Sequence, residues 1–173
     1  MKFLQRLTVA VCFGCFLFSF SSCSDPKAAS YTPPSDIQYL IAGDSSKVWM
    51  LAKRFNGKVR MNMEGCFMTY RQTFFKNRTV YDNNGEQPNC GETLSGLWEL
   101  TNDSVGNHYI KIKSQQYKRL MGRDSGFVEF KILYASKDSL TLTFIHNQFG
   151  TVRRITDHLV TENVIVPDRD FHW

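Results

Sequence analysis

The chain has 173 residues, 42% of them hydrophobic, and a formal charge of +5. The composition is globular and the length suits one domain with a real core, not two ordinary ones. Lys2 and Arg6 lie in a segment expected to be removed; without them the charge falls to +3, which argues against nucleic acid, since that partner wants a concentrated basic stripe.

Residues 1–6 form a short basic region, and residues 7–20 a continuous run of apolar and small side chains. Fourteen residues are too few to span a bilayer as a helix and fit a signal peptide core, so residues 1–22 are expected to be a signal peptide. Ser21-Ser22-Cys23 follows, and small residues directly before a cysteine resemble the lipobox of bacterial lipoproteins. Phe20 stands where that motif usually has leucine. The resemblance implies that Cys23 carries the acyl chains, with membrane lipid as the partner of the N-terminus. It also implies a place in the bacterial cell envelope, on the periplasmic or surface face of the outer membrane. The rival reading is an ordinary signal peptide cut elsewhere, with Cys23 a stray thiol.

Residues 23–35 are small, polar and proline-bearing, as in a flexible tether. Ser35 or Asp36 can cap a short helix through residues 37–42, stopped by Gly43. The pattern then turns to strands. Val48-Trp49-Met50-Leu51-Ala52 opens the sheet, and residues 58–63 alternate, with Val59, Met61 and Met63 on one face. Aromatic and β-branched residues crowd both sides of Asn77-Arg78, which marks a strand, a tight turn and a return strand. Residues 97–101 carry Trp98. Ile110 and Ile112 alternate with lysines, and Val128, Phe130, Ile132 and Tyr134 with Glu129 and Lys131. Leu140, Leu142 and Phe144 share a face, Gly150 turns the chain, and residues 151–160 form the last long strand. Residues 164–173 read as a solvated tail.

Of five cysteines, Cys12 and Cys15 leave with the signal peptide and Cys23 takes the lipid. Cys66 lies eleven residues before Asn77 and Cys90 twelve after Arg78, so the hairpin brings both to its open end. In an oxidising compartment an even pair is expected to form a disulfide. A two-cysteine metal site would want a nearby histidine or further cysteine, and none is close in sequence.

About eight strands with short connections and one helix pair as an antiparallel meander. A sheet of that many strands with one apolar face closes most simply as a barrel. The expected fold is therefore all-β: an eight-stranded antiparallel up-and-down barrel over residues 36–163, with a short N-terminal helix. If it closes, the first and last strands are neighbours. Trp49 is then expected to close one end, with Arg153 or Arg154 stacked on its ring.

Ser46-Lys47-Val48-Trp49-Met50-Leu51, Cys66, Phe74-Phe75-Lys76-Asn77, Cys90 and Gly96-Leu97-Trp98-Glu99-Leu100 occur in that order. This set resembles the lipocalin-like domains of bacterial lipoproteins, with Arg78 where the turn usually has glycine. The resemblance implies a cavity for a small apolar ligand; fold alone does not fix function. A ligand site would lie inside the barrel, lined by Phe74, Trp98, Ile112, Phe130, Ile132 and Phe144. The other reading is a structural or interaction lipoprotein whose barrel is filled by its own side chains.

No catalytic motif occurs, so an enzyme is not expected, nor is a cofactor. Asp157 and His158 are strand neighbours that face opposite ways and cannot form a dyad. Asp168, Asp170 and His172 would share one face of an extended tail, but a solvated tail explains them better than a metal. Lys111, Lys113, Lys118, Arg119 and Arg123 form a basic run, read as a solvated face in preference to a glycan or headgroup site. Asp103-Ser104-Val105 and Asp138-Ser139-Leu140 resemble a bacterial O-glycosylation sequence, both at expected turns.

Overall fold

The computed structural model describes residues 31–120, 125–148 and 151–172. The signal peptide, Cys23, most of the tether, Arg123 and Gly150 lie outside them.

Nine strands form one antiparallel sheet: β1 (Ser46–Asn56), β2 (Val59–Arg60), β3 (Arg71–Phe75), β4 (Thr79–Asp82), β5 (Ser95–Asn102), β6 (His108–Lys113), β7 (Phe127–Ala135), β8 (Ser139–Gln148) and β9 (Thr151–Val160). Each of β3 to β9 pairs with its sequence neighbour, and β1 pairs with both β3 and β9, so eight strands close into an up-and-down barrel. β2 is an appendage that pairs only with Phe55 and Asn56, across a turn at Gly57, whose φ of 61° suits glycine. Among the described residues three short α-helices accompany the barrel, α1 (Ile37–Ala42), α2 (Cys66–Thr69) and α3 (Gln116–Leu120), with one 3-10 turn at Asn84–Glu86. The sequence foretold only the first.

The expected strand over residues 58–63 shrinks to Val59–Arg60. One edge of β1 is taken by β3 along Ser46–Met50 and by β2 at Phe55–Asn56. Beyond Arg60 the chain leaves the sheet and arches through α2 before returning as β3. The gap it leaves on β1 is filled piecemeal: Met61 N–H donates to the Arg54 carbonyl (2.9 Å) and the Arg169 guanidinium to the Leu51 carbonyl (2.8 Å).

Two irregularities decide which side chains face inward. The β1–β9 register shifts between Leu51 and Lys53, and the β7–β8 register between Ile132 and Tyr134. One extra residue moves every later side chain to the other face. In β7 the shift turns Tyr134 outward, 49% exposed, and buries Ala135 instead. Tyr134 was expected beside Ile132 inside. In β1 it turns Arg54 inward, opposite Asp157.

The barrel is filled at the α1 end. Ile41, Ala42, Trp49, Phe74 and Trp98 are buried there, and burying each large apolar side chain contributes about 1.5–3 kcal/mol. Trp49 Nε1–H donates to the Ile41 carbonyl (2.8 Å), and the Phe74 and Trp98 rings meet edge to face at 5.5 Å. The cation over Trp49 is Lys47, 5.1 Å from the ring centre, not Arg153 or Arg154. Arg153 and Arg154 are exposed, and Ile155 pairs with Asn56, seven residues along β1 from Trp49. At about 3.3 Å per residue they sit at the far end of the barrel. An arginine does stack on a tryptophan: Arg78, 4.6 Å from the Trp98 ring, also donating to Gln38 Oε1 on α1 (2.6 Å). Arg78 holds a φ of 74°, a strained turn position that glycine usually takes. Its stack and hydrogen bond offset that strain.

The tail is solvated at Asp168, Asp170 and His172, which are exposed, but it docks on the barrel through the half-buried residues among and before them. Val164 and Val166 pack on Met50, Ala52 and Val160, while Arg169 donates to the carbonyls of Leu51, Phe67 and Met68. Met63 N–H donates to the Phe171 carbonyl, Arg60 lies over the Phe171 ring at 4.2 Å, and Arg60 also reaches the Asp168 carbonyl.

Candidate functional site

At the end opposite α1 the barrel is hollow. A cavity of about 390 Å³ lies beneath α2 and the Cys66–Cys90 disulfide. The Cα atoms of the two cysteines are 5.4 Å apart, and the bond clamps the open end of the β3–β4 hairpin as the sequence suggested. Both cysteines line the mouth, with Phe67, Asn84 and Met61 beside them. Leu51, Leu142, Ile155 and Leu159 form apolar walls, joined by Phe130 and Phe144, whose rings meet at 4.9 Å.

Of the six residues expected to line a ligand site, Phe130 and Phe144 do. Phe74, Trp98, Ile112 and Ile132 are buried in the core cluster instead. Tryptophan and phenylalanine are bulky enough to fill an eight-stranded interior by themselves where they coincide.

The cavity also holds polar groups that sequence reasoning missed. Arg54 and Asp157 form a bidentate ion pair, with both nitrogen–oxygen distances 2.6 Å. Their side chains are 22% and 12% exposed. Burial works against the Arg54 charge, but the attraction and hydrogen bonds of Asp157 outweigh it and hold the guanidinium above its ordinary pKa. The same guanidinium lies 4.9 Å from the Phe67 ring, tying the ion pair to α2. Asp82 accepts from Asn84 N–H (3.1 Å) and Leu94 N–H (3.0 Å); burial raises its carboxyl pKa against those bonds. Burial also raises the phenols of Tyr70 and Tyr117, and the nearby Asp82 charge adds to both shifts. Tyr117, on α3, is 4% exposed, and its hydroxyl is buried with no hydrogen-bond partner.

Asp157 was legible: it sits between Ile155 and Leu159 on the inner face of β9. Arg54 was not, because an uninterrupted alternation from Leu51 would send it outward. Tyr117 lies on a five-residue helix with no strand period to place it. His158 faces away from Asp157, as expected, beside Thr141 Oγ1 (3.2 Å) and the Phe55 ring (5.5 Å).

The other expected sites fall on the outside. Lys111 pairs with Glu129 (3.6 Å), Lys113 with Glu99 (2.9 Å) and Arg119 with Glu92, so this part of the basic run is neutralised by its neighbours. Lys118 is exposed. Among the described residues no group of three or more His, Cys, Asp or Glu is placed to hold a metal, Asp168, Asp170 and His172 included. Ser104 sits in an exposed turn; Ser139 instead begins β8, half-buried. Among the described residues no helix is long and apolar enough to cross a membrane.

A closed eight-stranded meander, filled at one end and hollow at the other, decides the architecture. The domain is a closed up-and-down β-barrel. Among solved structures, a lipocalin-like protein from Bacteroides uniformis ATCC 8492 is similar to it, at 15% identity and a TM-score of 0.41, over 69% of this chain and 99% of that one. No protein-family model and no curated protein matches the chain. A barrel of this kind leaves open what the cavity holds, and that question turns on its lining.

Proposed function

We propose that the protein is a lipid-anchored lipoprotein of the bacterial cell envelope whose barrel binds one small, mostly apolar molecule. The cavity carries this reading. Its volume of about 390 Å³ falls within the range of roughly 300–1,000 Å³ typical of small-molecule sites. Its walls are largely aliphatic and aromatic, with a few polar groups set among them, which is the usual composition of such a site. A barrel serving only as a packed scaffold would carry its filling through to the mouth, as it does at the α1 end.

The anchor rests on the sequence before Cys23: a basic start, an apolar run and small residues ahead of the cysteine. Several acyl chains on one residue hold a domain to a membrane far more firmly than one chain does. Native mass spectrometry of protein extracted from membranes of its own host tests both parts. The expected spectrum shows acyl mass on a peptide beginning at Cys23, and an adduct of one small molecule that is lost on activation. An unmodified Cys23 removes the anchor. An adduct-free protein, with no uptake from a lipid and metabolite extract, removes the ligand.

A further inference from the structure

The polar groups in the cavity narrow the chemistry of what it can hold; the inference rests on the cavity being a ligand site. Among the described lining residues Arg54 is the only lysine or arginine, and Asp157 already holds its Nε and Nη2 edge and balances its charge. Asp82 is a second carboxylate in the same wall, satisfied by the backbone around it. His146 lines the cavity as well. A ligand carboxylate would therefore be a third negative group around a single cation, since Asp157 and Asp82 already stand in the same wall as Arg54.

One group stands differently. Tyr117 is all but fully buried, lines the cavity and has a hydroxyl without a protein partner. A buried donor left unpaired costs about 1–3 kcal/mol, and a bound molecule that supplies an acceptor recovers part of it. Burial, and after it the neighbouring Asp82 charge, favours keeping the phenol protonated, so the group meets a ligand as a donor.

We propose that the cavity takes a neutral, mostly apolar molecule bearing one hydrogen-bond acceptor, a carbonyl or ether oxygen, which receives the Tyr117 hydroxyl, and that it discriminates against carboxylates. The acceptor end sits near α3, and the apolar body lies against Phe130, Phe144 and Leu142.

Three probes of matched body separate the terms: 2-acetylnaphthalene, 2-ethylnaphthalene and 2-naphthoate, titrated into the protein by ligand-detected NMR. The ketone is expected to bind about three- to ten-fold more tightly than the hydrocarbon, the range one net hydrogen bond gives, with the carboxylate weakest. Tyr117→Phe removes only an oxygen without a protein partner. It is expected to weaken the ketone to the level of the hydrocarbon and leave the hydrocarbon unchanged. Equal binding of ketone and hydrocarbon, tightest binding of the carboxylate, or a ketone preference that survives Tyr117→Phe overturns the inference while leaving the cavity a ligand site. No binding of any probe overturns both.

Discussion

Consider the Arg54–Asp157 pair under Arg54→Met, Asp157→Leu and the two changes together. Each single change leaves one charge in the cavity wall without its partner. For a fully buried pair that loss costs about 3–5 kcal/mol. Here the side chains are 22% and 12% exposed, so solvent recovers part, and roughly 2–3 kcal/mol remains. The double variant removes both desolvation penalties and puts apolar side chains among Leu51, Leu142, Ile155 and Leu159. Such replacements are often neutral or stabilising, so its stability should stay within about 1 kcal/mol of the unaltered protein. The coupling between the sites is then roughly 4–6 kcal/mol, above the range of about 0.5–3 kcal/mol that contacting residues usually show. Urea unfolding without reductant, followed by tryptophan fluorescence and by circular dichroism, measures it. The buried Trp49 and Trp98 report on the filled end. In a thermal scan each single change should lower Tm by roughly 5–10 °C, with the double near the start. A double variant whose loss equals the sum of the singles would refute the reasoning, because the charges would then not be compensating one another.

Two further outcomes follow from groups outside the ion pair. Replacing Cys66 and Cys90 together by serine should cost about 3 kcal/mol in the chain-entropy account of a 24-residue separation, and non-reducing peptide maps of the unaltered protein should recover that linked pair; two free thiols would contradict it. Burial lowers the His158 pKa from its ordinary 6.5, so the unfolded chain takes up this proton at higher pH than the native one does. Stability should therefore fall as pH drops through 6.5 and below, and His158→Gln should flatten that part of the Tm–pH profile; an unchanged slope counts against it.

Alternation carried most of the fold. Ile110 with Ile112, Val128 with Phe130 and Ile132, and Leu140 with Leu142 and Phe144 all project inward as their period of two requires. The closure of β1 on β9 follows once eight such strands are counted. What the period could not carry was its own interruption. The bulges after Leu51 and Ile132 leave no mark in composition, yet they decide that Arg54 is inside and Tyr134 outside. The misplaced arginine stack has a related cause. Reasoning from closure brought β1 and β9 together but not in register, and the register puts Arg153 and Arg154 on the outside of the far end rather than beside Trp49. At the turn, Arg78 stood out only as a departure from glycine; that it reaches Trp98 and Gln38 depends on where α1 docks. The cavity was the least legible feature. It is the volume left over after Phe74, Trp98 and Trp49 have packed, and a list of large residues does not say whether they gather at one end.

The two ends of the barrel differ in how they would come open. Parting the α1 end exposes Trp49, Phe74 and Trp98 and amounts to unfolding the whole domain. The cover over the cavity belongs to no strand ladder. It is tied by the disulfide to the loop after β4 and held down by the Arg169 guanidinium on the carbonyls of Phe67 and Met68. Local fluctuations start where few buried contacts and many exposed backbone bonds hold a segment. Opening at this end therefore parts no strand pair: it asks only that Arg169 leave the carbonyls of Phe67 and Met68, so the hinge of the molecule is a single side chain near the C-terminus.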